Sequence, residues 1–75
     1  IYSHVAPTLH DEAAEIVARY PDATFYVDPN VDGIAWRAHV DGREETGPCD
    51  PDAGDLDQAV EWLYDLEGAG YTVAR

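Results

Sequence analysis

The chain has 75 residues, 16 of them acidic and 4 basic, for a formal net charge of −12, with 45% hydrophobic and 11% aromatic side chains. A chain of this length holds a single core burying roughly 60–65% of its unfolded surface, which excludes two domains, and its apolar content separates it from an aromatic-poor acidic disordered tail. Binders of nucleic acid or anionic membranes neutralise phosphates with Lys and Arg; Lys is absent here and only Arg19, Arg37, Arg43 and Arg75 are basic, so no direct contact with either is expected.

A strand is expected over residues 1–6; the opening Ile1, in place of Met, is what a fragment of a longer chain would show. From Thr8 onward Leu9, Ala13, Ile16, Val17 and Tyr20 share one arc at helical spacing, with Asp11, Glu12, Glu15 and Arg19 opposite. Thr8 is the expected N-cap, Glu15 and Arg19 an i,i+4 pair, and Pro21 the stop. Residues 23–28 then alternate Ala23, Phe25 and Val27 against Thr24, Tyr26 and Asp28. The segment DPNVDG makes a hairpin into residues 33–40, where Ile34, Trp36, Ala38 and Val40 alternate with Ala35, Arg37 and His39. Asp41–Gly42 is a two-residue turn signal, so residues 43–46 are expected to fold back as a short charged strand. Asp55 and Gln58 form a capping box for a second helix whose apolar arc of about 160° holds Leu56, Ala59, Val60, Trp62, Leu63 and Leu66, closed by Gly68 or Gly70. A final strand falls over residues 71–74.

This order predicts an α+β fold, a ferredoxin-like βαββαβ sandwich with a four-stranded antiparallel sheet and both helices on one face. The alternative is αβββαβ, with an extra short edge strand at residues 43–46. Such architectures host many functions, so the site has to be argued from side chains.

Asp28, Asn30 and Asp32, followed by Gly33, match the start of a calcium loop, but His39 stands where its bidentate Glu belongs, and the same residues are ordinary hairpin turn formers. A second partial match, Asp50, Asp52 and Gly54 with Glu61, is out of register. Cys49 with His4, His10 and His39 supplies zinc ligand types without the close spacing of structural zinc sites. Cys49 lies among carboxylates that disfavour its thiolate, and Ser3 has no assignable base, so neither an enzyme nor a cofactor is expected.

Two surfaces stand out. Under the expected register the open sheet face carries Tyr2, His4, Tyr26, Arg37, His39 and Thr72, residue types common at protein interfaces. The segment from Asp41 to Asp57 concentrates Asp41, Glu44, Glu45, Asp50, Asp52, Asp55 and Asp57 against Arg43 alone, which is half of the net charge. The absence of Lys, with ten Asp to six Glu, matches a carboxylate-rich surface adapted to high salt or, secondarily, a high-GC genome. The expectation is a small cytoplasmic, non-enzymatic domain that contacts a protein partner or a second copy through the open face. An acidic DNA mimic inhibiting a nucleic-acid-binding protein is the alternative, and a metal-binding module the third.

Overall fold

In α1 (Leu9–Arg19) the helical spacing of apolar side chains buries Leu9 and Ala13 and half-buries Ile16 and Val17, with Tyr20 half-buried just past its end. A computed structural model describes residues 9–30, 33–49 and 55–74, and all structural statements concern these. The helix stops ahead of Pro21, with the Tyr20 N–H donating to the Ile16 carbonyl (2.7 Å) and the Ala23 N–H to the Tyr20 carbonyl (2.9 Å). Among the described residues the expected Glu15–Arg19 pair is not closed; ion-pair contacts there join His39 to Asp22 and Arg43 to Glu45.

Two hairpins follow. β1 (Thr24–Asp28) pairs antiparallel with β2 (Gly33–Val40), which pairs antiparallel with β3 (Arg43–Pro48), giving the order β1-β2-β3. Asp41 (φ 54°) and Gly42 (φ 80°) both occupy the left-handed region, as a two-residue hairpin turn with the native twist requires. β3 extends two residues beyond the expected 43–46. The pairing places Phe25 opposite Trp36 and Trp36 opposite Gly47 on one face, with Val27, Ile34 and Ala38 alongside. A side chain at Gly47 would meet Trp36 ring atoms at 2.9 Å, so only glycine lets β3 pass under the indole.

α2 (Leu56–Gly68) begins as expected: the Asp55 carboxylate accepts from the Gln58 N–H at 2.9 Å. It closes at Gly70 (φ 100°), and the Tyr71 N–H reaches back to the Leu66 carbonyl at 3.0 Å. Both helices share one core with the sheet, in which Phe25, Ile34, Leu66 and Cys49 are fully buried. Tyr20 stacks on Trp36 (4.5 Å, 24°) and Tyr71 meets Phe25 edge-on (5.8 Å).

The α+β class, both helices and the central hairpin follow expectation, but the ferredoxin-like order does not emerge among the described residues. The edge of β2 that this order gives to the first strand is taken by β3, because the Asp41–Gly42 turn feeds the chain straight back along it. The expected strand at residues 1–6 lies outside the described residues. Near the C-terminus there is a single parallel bridge, Phe25 to Val73, beside β1 in place of a full strand.

Candidate interaction surface

Strand alternation puts Tyr26, Arg37 and His39 on the sheet face away from the core, as expected. Tyr26 lies opposite Ala35, whose small side chain leaves the ring room, and Arg37 reaches diagonally to set its guanidinium carbon 5.4 Å from the Tyr26 ring centre. Among the described residues no carboxylate lies within ion-pair distance of Arg37, although acids outnumber bases fourfold in the chain.

His39 belongs to a different neighbourhood. It lies four residues along β2 from Ala35, about 13 Å away at strand spacing. Its backbone N–H donates to Asp22 Oδ2 at 3.0 Å, its ring Nδ1 is 3.6 Å from the same oxygen, and Glu44 faces it from β3. The expected face is thus divided into a Tyr26–Arg37 pair and an Asp22–His39–Glu44 group. Tyr2 and His4 lie outside the described residues, and Thr72 instead joins the C-terminal stretch along β1, its carbonyl accepting from the Phe25 N–H at 2.9 Å.

Tyr26 stands between two hollows. One, of about 310 Å³ on the open face, is bounded by Tyr26, Asp28, Ala35, Thr46, Gly47 and Pro48. The other, of about 420 Å³, runs from Tyr26, Val27 and Arg37 to Val60, Leu63 and Tyr64 of α2, with Ala74 at its margin. The second continues into a surface that differs from expectation. Leu56 and Val60, placed by the sequence on the packed side of α2, are 41% and 40% exposed, and Tyr64 is 53% exposed. With Tyr64 the apolar arc reaches about 200° at 100° per residue, more than one sheet face covers; that width was the available signal.

The described carboxylates of the acidic segment belong to a turn, to β3 and to the start of α2. Glu44 and Glu45 project from opposite faces of β3, Glu45 lying 4.0 Å from Arg43, while Asp41 sits in the turn. Asp55 is engaged as the cap of α2, and Asp57 lies in its first turn, where the helix dipole favours negative charge. Asp50 and Asp52 lie outside the described residues.

At the calcium-like loop, Asp28 Oδ1 accepts from the Asn30 N–H at 3.0 Å, the geometry of a side-chain-stabilised turn; Asp32 is outside the described residues. The zinc ligand types do not converge among the described residues. Cys49 is buried in the core with its N–H on the Ile34 carbonyl, His10 lies 6.4 Å from the Tyr71 ring, and His39 is on the open face. No group of three or more His, Cys, Asp or Glu placed to hold a metal ion occurs among the described residues, nor does any helix long and apolar enough to cross a membrane. Comparison of the chain with protein-family models, with curated proteins and with solved structures finds no match.

Proposed function

We propose that this chain is a non-catalytic protein-interaction domain that engages its partner through the surface centred on Tyr26 and Arg37. The observation that carries the reading is that pair itself. An arginine with no described carboxylate partner lies against a half-buried tyrosine between two hollows. Tyr and Arg contribute disproportionately to binding energy because each offers a large apolar surface with a directional polar end. The carboxylate surplus is read as adaptation to high salt, which keeps the remaining surface hydrated while leaving this patch nearly free of negative charge. The DNA-mimic alternative draws less support, since among the described carboxylates of its segment Glu44 and Glu45 point to opposite faces of β3 and Asp55 is engaged as a helix cap.

The test is affinity capture from a native lysate at two salt concentrations, comparing the wild-type chain with Tyr26→Ser and Arg37→Ala. A partner retained by the wild type and lost by both variants supports the proposal. A captured set that neither substitution alters overturns it.

A further inference from the structure

The circumference of α2 divides into three sectors. Ala59, Leu63 and Leu66 face the core, Leu56, Val60 and Tyr64 form an exposed stripe at i,i+4,i+8 with Glu67 on its line at the C-terminal end, and Asp57, Glu61 and Asp65 form a carboxylate row beyond it. The stripe holds all three exposed large hydrophobic side chains among the described residues, and Val60 and Tyr64 also wall the larger groove. The helix has no basic residue, so nothing within it balances the carboxylate row. Asp65 and Glu67 stand near its C-terminal end, where the dipole disfavours negative charge. Arg37, the one cation lining the groove, keeps the seat from being anionic, so an apolar seat adjoins a carboxylate rim.

That distribution favours a particular occupant. A second copy would bring another net −12 and a second carboxylate row against the first. A partner helix with one apolar and one cationic face satisfies both sectors at once.

We infer that the Leu56–Val60–Tyr64 stripe and its adjoining groove receive a cationic amphipathic segment of a partner protein, its apolar side chains seated between Tyr26, Val60 and Tyr64 and its Lys or Arg residues against Asp57, Glu61 and Asp65. This rests on the interaction-domain reading and adds the chemistry of the partner. At about 1 M salt, where screening acts over about 3 Å, only the contact-range part of the rim survives, while the apolar seat keeps its strength.

The probes are three labelled synthetic peptides of about five helical turns, titrated against the whole chain by fluorescence anisotropy. One is an amphipathic leucine–lysine helix, one has the same composition scrambled to remove the apolar face, and one carries glutamate in place of lysine. The amphipathic cationic peptide is expected to bind about tenfold more tightly than the scrambled one and far more tightly than the glutamate version. Val60→Ser combined with Tyr64→Ser, both exposed and checked for folding by thermal melt, is expected to erase that tenfold margin. Asp57→Asn with Glu61→Gln and Asp65→Asn is expected to weaken binding about tenfold at about 0.1 M salt and little at about 1 M.

Equal binding of the scrambled peptide, or a margin unchanged by the Val60 and Tyr64 substitutions, overturns the assignment. So does a dimer in light scattering that the same double substitution dissociates, since the stripe would then be covered by a second copy. If the peptides fail while capture still depends on Tyr26 and Arg37, the stripe assignment falls alone; if capture fails as well, both fall.

Discussion

Trp36 and Arg37 are consecutive in β2 and face opposite ways, each beside a tyrosine. Trp36 is stacked under Tyr20 and rests on the bare backbone of Gly47; Arg37 lies over Tyr26 at the surface. The inward pair packs onto the core, with Trp36 9% exposed, and borders a hollow of about 320 Å³ only on the side between α1 and Pro48, so most of its energy is realised on folding. The outward pair borders hollows, and much of its contact surface stays available for association. On the proposed function, a period-two strand thereby keeps the chemistry of stability and that of recognition one residue apart, and substitutions on the two sides should separate in size and in kind.

The largest effects are expected inside. Phe25→Ala or Trp36→Ala should cost about 3–5 kcal/mol in chemical denaturation, and a loss below about 1 kcal/mol at both would show that the sheet face is not the core. Gly47→Ala should come next, at about 1–3 kcal/mol, because the new methyl group meets the indole at a distance atoms do not tolerate. Pairing it with Trp36→Leu tests the cause: the double variant should lose less than the sum of the singles, and strict additivity would mean the strain lies elsewhere. Asp55→Ala should cost about 1 kcal/mol by stripping the cap from α2. The smallest change is expected at Arg37→Ala, within about 0.5 kcal/mol by the same measurement, with its cost appearing in partner capture. A stability loss there comparable to that at Phe25 would erase the distinction between the two sides.

Local rules were legible in the sequence wherever neighbouring residues alone decide them. The 3.6-residue spacing of α1, the Asp55 cap and the Asp41–Gly42 turn each follow from a few adjacent side chains, and each is found. The Asp41–Gly42 turn pointed to a strand from residue 43 beside β2, as in the alternative arrangement, but the preference for the ferredoxin-like order failed because pairing is a contest between distant segments. Residues 43–48 win the edge of β2 through a turn that costs little loop entropy, and Gly47 and Pro48, residue types depleted in strands, hid the last two residues of that strand. Of the candidate surface, alternation correctly put Tyr26, Arg37 and His39 on one face. It could not reveal that Asp22, from the loop after α1, draws His39 into a separate group. Nor could hydrophobicity tell which part of the α2 arc the sheet covers, since Val60 and Leu63 read alike and only packing distinguishes them.

The short C-terminal stretch beside β1 has a consequence for how this protein behaves when crowded. The Phe25 N–H donates to the Thr72 carbonyl and the Ala74 N–H to the Phe25 carbonyl, at 2.9 and 2.8 Å, so backbone groups on the outer side of β1 are occupied from within the chain. At the other side of the sheet, β3 carries Arg43, Glu44 and Glu45 and ends at Pro48. Strands of neighbouring molecules extend a sheet by adding to such borders, and charges and proline are poor templates for that growth. Salt strong enough to screen carboxylates also strengthens apolar association, so the net charge alone would protect least where protection is most needed. Backbone capping on one border and proline on the other still act there, because neither depends on long-range repulsion.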